Sequence, residues 1–276
     1  MGNKIKLAVI SIYPLLVILS ASLYGQESPD FLQRALHNPE LSWIRLSNEN
    51  INMYCIEGSF AEKHRVMLMG SLESSIMYVS DLLETDGCPD SVNVFYVESR
   101  EQMEEVIGMP YAGFTNWSTS SIFLVLNPEW RSFERHEFAH LATMKCWGRP
   151  HPSSGWMVEG IPVYCDGWCG EYSVNQVACY LMKEDRLPDP DNLFMSYRDM
   201  GEIPAGFSSA SLAGFIAGEF GAAKLRRLWE EGSDKIEEIL GIDSKLIEKG
   251  WRDYIRADAG DKPAVDYQEI TRNGCG

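Results

Sequence analysis

The stretch Ser121–Trp147, SIFLVLNPEWRSFERHEFAHLATMKCW, decides how the chain is read. Residues 121–126 are an apolar run stopped by Pro128, and they read as a buried strand. From about Ser132 to Cys146 the pattern turns helical, with Phe133, Leu141 and Met144 offering a face for burial. Inside that helix, His136-Glu137-Phe138-Ala139-His140 sets two imidazoles at i and i+4. They stand one turn apart on the same face, so both reach a single metal ion. The chain holds five histidines, and two of them are here.

A Pro/Gly/Ser loop at 148–155 leads into a second helix that starts near Trp156. In Trp156-Met157-Val158-Glu159-Gly160-Ile161-Pro162-Val163-Tyr164, eighteen residues separate His140 from Glu159. A carboxylate in so apolar a setting is costly unless it meets a cation or a metal. The plainer alternative is an acid that merely favours its own helix N-terminus. The two histidines upstream favour ligation. Two His and one Glu form a catalytic zinc set that leaves one position open. Glu137, adjacent to the first ligand, then reaches a water on the ion without ligating it. Zinc brings the pKa of such a water to about 7, and the Glu takes its proton as it attacks a carbonyl.

The rest of the chain supplies a scaffold. Residues 26–50 read as a polar lead-in with one short helix, and 51–57 as a strand. Residues 60–85 read as a long amphipathic helix ended by Asp86-Gly87, its methionines packing the core. A strand is expected at 92–97 and a helix at 99–107, capped by Ser99. Further helices are expected at about 172–184, 208–220, 222–232 and 243–257, and then a polar tail. Strands first and helices after point to an α+β fold. Without repeats or a linker between 50 and 257, the division is one domain over 26–257 and a tail over 258–276.

The N-terminus has the layout of a signal peptide over residues 1–25. Lys4 and Lys6 precede the apolar run LAVISIYPLLVIL at 7–19, and small and polar residues follow. Cleavage falls after Ser22 or Gly25. Pro14 and the shortness of the run argue against an anchor. No later apolar run nears the length of a span, and no Cys follows the apolar segment to take a lipid, so the expectation is a periplasmic or extracellular protein with no membrane span in the mature chain. Seven cysteines suit an oxidising compartment, and their odd number leaves at least one thiol free or paired between chains. Cys146, Cys165, Cys169 and Cys179 cluster around the motif region, where disulfides are expected without a readable connectivity. A structural zinc on Cys165 and Cys169 is the weaker alternative. The net charge is −16, and becomes −18 once Lys4 and Lys6 are removed, which argues against a nucleic-acid partner. An apolar fraction of 45% excludes global disorder.

With these motifs in place the sequence resembles the gluzincin metallopeptidases, the group that includes thermolysin and the aminopeptidase-N-like enzymes. It is most similar to the exported peptidase-MA-like proteins. The residues that carry the resemblance are His136-Glu137-x-x-His140, Pro152, Trp156, Glu159-Gly160 and Tyr164. Weaker matches are Ala112-Gly113-Phe114 and Ile122–Leu126 upstream, with Phe220-Gly221-x-x-x-Leu225 and Leu240-Gly241 to Trp251 downstream. The likeness spans about residues 50–257. It implies a zincin-like α+β fold, with a small mixed sheet, an edge strand beside the active-site helix and a helical C-terminal half. It also implies one Zn²⁺ per chain on His136, His140 and Glu159, with Glu137 as general base and later acid. The implied activity is that of an exported zinc metallopeptidase on a peptide or protein substrate, which would add as a strand along 121–126.

Two positions depart from the family. The oxyanion-binding Tyr of the aminopeptidase-N-like enzymes matches Phe207, which has no donor. Tyr164, Tyr197 or a Ser hydroxyl are the candidates to replace it. Val163 stands where thermolysin-like enzymes place an Asp that orients a zinc His, and Asp166 is the candidate substitute. No amine-binding motif precedes the zinc helix, which leans towards endopeptidase action. Phe207 motivates a rival reading, a zinc-binding module that recognises peptides without cleaving them. A hydrolase of another amide, such as a cell-wall crosslink, shares the same zinc set. His37 and His64 read as surface residues and His151 as a loop residue that is solvated or lines the cleft. Asn116-Trp117-Ser118 is a glycosylation sequon by pattern.

Overall fold

A computed structural model describes residues 31–85, 87–260, 265–273 and 275. The signal peptide expected over 1–25, with its cleavage sites, lies outside the described residues. The chain begins with α1 (Phe31–Leu36), then β1 (Trp43–Ser47), β2 (Ile51–Ile56), α2 (Phe60–Lys63) and α3 (Arg65–Leu83). β3 (Val92–Val97), α4 (Arg100–Ile107), β4 (Gly113–Asn116), β5 (Ser121–Val125) and α5 (Glu134–Ala142) follow. The C-terminal half holds α6 (Met157–Asp166), a two-strand hairpin of β6 (Trp168–Cys169) and β7 (Tyr172–Ser173), and α7 (Val174–Lys183). It ends with α8 (Pro190–Ser196), α9 (Glu202–Phe220), α10 (Ala222–Glu231), α11 (Ile236–Leu240), α12 (Ser244–Ala259) and α13 (Tyr267–Asn273). The expected α+β order, with a mixed sheet first and helices after, is what the structure has.

The sheet runs β1-β2-β3-β5-β4, parallel in its centre and antiparallel at both edges. Alternation sorts its side chains onto two faces. Tyr54, Phe95, Phe123 and Phe114 occupy one register line across four strands. The Tyr54 and Phe95 rings stack at 4.4 Å, and Phe95 and Phe123 at 4.9 Å. That aromatic face packs with α1 and α4. Met53, Val94, Tyr96, Ile122 and Leu124 point the other way, into the larger core shared with the helices.

Several elements differ from the sequence expectation. The edge strand is β4, and β5 lies inside the sheet, so the segment 121–126 has strands on both sides. Gly113-Phe114-Thr115-Asn116 has a turn-like composition and is a strand because β5 supplies the partner. β1 arises in the expected lead-in for the same reason. α9 begins at Glu202, ahead of the expected 208, because Pro204 falls in its first turn, where a missing N–H costs nothing. The polar tail carries α13, with Ile270 buried. Among the described residues one helix, α3, has the length and mean hydropathy of a membrane span, and a third of that window is buried in protein.

Two disulfides form, Cys88–Cys146 and Cys169–Cys275. Cys55, Cys165 and Cys179 are free and buried. Cys169 is therefore committed to a disulfide, which overturns the Cys165/Cys169 zinc alternative. Burial pushes the Cys55 thiol up to about 11, so it is unreactive at neutral pH.

α6 and α9 approach closely because Gly160 has no side chain. A Cβ there would lie 2.6 Å from the Ser209 Cβ and 3.0 Å from the Ser209 carbonyl carbon. Backbone cannot swing aside as a side-chain end can. Gly160→Ala is expected to lower stability by about 1–3 kcal/mol. Thermal denaturation reads this, and an unchanged midpoint would show that the helix pair tolerates a wider spacing.

Candidate metal centre

Three side chains from two helices converge between α5 and α6. The helical repeat stacks His136 over His140 on one face of α5, and Glu159 projects from the first turn of α6. The two Nε2 atoms stand 3.2 Å apart. Glu159 Oε2 lies 3.6 Å from His136 Nε2 and 3.5 Å from His140 Nε2. Two Nε2 atoms facing each other share at most one proton, so at least one lone pair points at the centre of the triangle. Tetrahedral ligands at zinc bond lengths of about 2.0–2.1 Å stand roughly 3.3–3.4 Å from one another. The measured triangle brackets that spacing, so these residues fit a zinc ion. They are also the set expected from the sequence.

The electrostatics of the metal-free group agree. Burial alone would raise the Glu159 pKa, but His140 and His136 hold it well below the usual carboxylate range. Burial pushes His136 down, yet the Glu159 hydrogen bond and the charges of Glu137, Glu159 and Asp166 leave it raised overall. The buried carboxylate is thus kept charged by its two imidazole neighbours.

Glu137 is buried on α5 and is not one of the three. Its Oε2 accepts a 2.8 Å hydrogen bond from Thr115 Oγ1 on the edge strand, and its backbone carbonyl accepts from the same hydroxyl. Gly113, two residues back on the same face of β4, leaves the space the carboxylate fills. A Cβ at Gly113 would lie only 2.9 Å from Glu137 Cδ. The Ala112-Gly113 signal noted in the sequence thus has a steric cause.

The expected supporting residues fare differently. Asp166 accepts no hydrogen bond from a zinc-site histidine. It accepts from Arg131 Nη2 at 2.6 Å and touches the site through its charge on His136. Tyr164 packs its ring where a Gly214 Cβ would stand, near Tyr254, and burial raises its pKa above the usual range. Phe207 is buried on α9 and Val163 is half-buried on α6. Tyr197 is one of the named alternatives, on the short turn after α8. It is buried, and after burial itself the Glu159 charge is the largest effect raising its pKa. His151 lies apart from the site. Its Nδ1 bonds Ser153 Oγ at 2.9 Å, and Ser153 donates to Asp234 at 2.6 Å. His64 bonds the Phe60 carbonyl and packs on the Phe60 ring, and His37 bonds the Gln33 carbonyl. Asn116 of the sequon is buried, and its Oδ1 accepts from Ser118 N and Oγ and from Thr119 N. An amide so placed is no acceptor for a glycan in the folded chain.

No family model matches the chain, and no curated protein matches it. Among solved structures it is similar to an M1 zinc metallopeptidase from Deinococcus radiodurans, a Glu-to-Ala mutant crystallised with a Tyr-Ser-Ala substrate. The identity is 13% and the TM-score 0.43, over 81% of this chain and 53% of that one. The chain thus spans about half the length of that structure. So distant a likeness assigns no activity, which has to come from the side chains.

Proposed function

We propose that this chain is an exported zinc-dependent metallopeptidase. The observation that carries the reading is the His136–His140–Glu159 triangle of zinc dimensions, with Glu137 next to His136 on α5. A zinc ion held by the three side chains would acidify a water and polarise a carbonyl. Glu137 takes the proton from the attacking water and returns it to the departing amine, so no covalent acyl-enzyme is needed. The Thr115 hydroxyl fixes the Glu137 carboxylate against the edge strand. The outer edge of β4, which has no strand partner among the described residues, is where an extended peptide adds. Two disulfides and a signal-like N-terminus support export.

Zinc content and turnover on a library of peptides and denatured proteins test the reading. About one zinc per chain with peptide cleavage that a chelator abolishes is the expected result. Zinc without cleavage of any peptide or of peptidoglycan would favour the binding module. Cleavage of peptidoglycan alone would move the substrate to a cell-wall amide. No zinc would end the proposal.

Tyr197 fills the role that Phe207 leaves vacant. Burial and the Glu159 charge keep its hydroxyl protonated, and so able to donate to a developing oxyanion. Tyr197→Phe is expected to lower kcat by about 10²–10³-fold with zinc content unchanged. A variant with parental kcat would return the oxyanion role to Tyr164 or a serine.

A further inference from the structure

Glu202 is a carboxylate outside the ligand triangle, and the packing of two helices brings it to the same side of the molecule. It opens α9, and it is exposed. Among the described residues none gives it a hydrogen bond or an ion pair.

Its place follows from how α9 lies on α6. A Cβ at Gly160 would meet Ser209, and a Cβ at Gly214 would meet the ring of Tyr164. Four residues further along α6 thus correspond to five further along α9, so the two helices run in the same direction. In that register Glu159 is level with Ser208, and Met157, where α6 begins, with Gly206. Glu202 is seven residues before Ser209, which puts both on one face of α9, the face towards α6. It therefore stands one turn beyond the start of α6, beside the space in front of that helix. Glu159 slants the same way, because helical side chains tilt towards the N-terminus. Along the axis the two acids are roughly 9 Å apart. An extended peptide covers that in two to three residues, at about 3.3 Å each.

The electrostatics place the two acids within reach of each other. The Glu202 pKa is raised, first by partial desolvation and then by the Glu159 charge. Arg100, whose guanidinium lies 5.0 Å from the centre of the Trp130 ring, pulls the other way and is outweighed. The Tyr197 hydroxyl feels both carboxylates. A cation supplied by a ligand would complete this charge. The net charge of −16 draws cationic peptides from a distance, and Glu202 gives that attraction a place beside the metal ligands.

We propose that Glu202 determines substrate specificity, its carboxylate pairing with an ammonium or guanidinium group that the peptide carries near the scissile bond. The inference rests on the metallopeptidase reading and names its substrate class, peptides with a cation at that point. A Lys or Arg side chain and a free N-terminus both offer the group.

The test is kcat/KM of the zinc-loaded chain on matched peptides, beside Glu202→Gln and Glu202→Lys. The peptides carry Arg or its uncharged analogue citrulline at each position around the cleaved bond, with free or acetylated N-termini. Zinc content and thermal midpoint check that the variants fold. The parent is expected to prefer the charged form at least about tenfold, the loss that follows removal of a charge-assisted hydrogen bond. A preference for Arg assigns the cation to a side chain, and a preference for the free N-terminus assigns it to the terminal amine. Glu202→Gln is expected to bring that ratio to within about twofold of unity, and Glu202→Lys to invert it. A parent that cleaves peptides without regard to charge would overturn the inference and leave the peptidase reading standing. So would a preference that both variants keep. A lower thermal midpoint as the only change would do the same, marking Glu202 as an acid that favours its own helix N-terminus. A parent that cleaves no peptide would fail the peptidase reading itself, and the inference with it.

Discussion

Glu137→Gln is expected to retain about one zinc per chain and to lose peptide hydrolysis by roughly 10²–10⁴-fold or more, the range of a general base. The amide matches the carboxylate in size, so the space left by Gly113 still accommodates it, and its oxygen can still accept from Thr115. What it loses is the ability to take a proton. The three ligand atoms belong to other side chains, so the metal set remains whole. The buried placement sharpens the test, because a water-filled site would let bulk base substitute and Glu137 is nearly shielded from solvent. Zinc analysis and kcat on one preferred peptide give the answer. Parental turnover would remove Glu137 from the chemistry, and loss of zinc would show that the residue holds the site together instead.

The metal ligands were legible in the sequence because their geometry is local. A spacing of four on a helix fixes two imidazoles on one face whatever surrounds them. Glu159 was legible from its apolar neighbours, which made a charge there costly without a partner. What depends on tertiary pairing was not legible. Gly113–Asn116 is short and ends in Gly and Asn, which strands disfavour, and only the register with β5 makes it the sheet edge that holds Glu137. The reading therefore placed the edge one strand too far in. Asp166 was expected to orient a histidine, and it serves Arg131, a partner thirty-five residues away that no local pattern reveals. Tyr164 was the candidate named for the missing donor, with Tyr197 or a Ser hydroxyl as alternatives. The packing of α6 on α9, which sets the Tyr164 ring against Gly214, is not visible in local sequence. The disulfide from Cys169 to Cys275 escaped for a similar reason, since the tail that brings Cys275 back has little periodicity of its own.

Glu159→Ala is expected to abolish zinc-dependent stabilisation as well as hydrolysis. A ligand bound only by the folded chain stabilises it by about 4 kcal/mol at a thousandfold excess over Kd. The parent should show a zinc-dependent rise in thermal midpoint, and the variant none at the same zinc concentration. The parent's response should also depend on pH, with a sign the site dictates. In the metal-free chain burial lowers the His136 pKa, but the Glu159 hydrogen bond and neighbouring charges outweigh it and raise it. Zinc needs the neutral imidazole and must displace that proton. Apparent affinity is therefore full above the raised His136 pKa and falls as pH drops through it, by up to about tenfold per unit. Glu159 itself stays ionised through this window, because its pKa is depressed, so the loss belongs to the histidine and not to the carboxylate. Calorimetric zinc titrations at pH about 7.5 and about 5.5 check this. Equal affinity at both values, or a Glu159→Ala chain that zinc still stabilises, would show that the ion binds elsewhere.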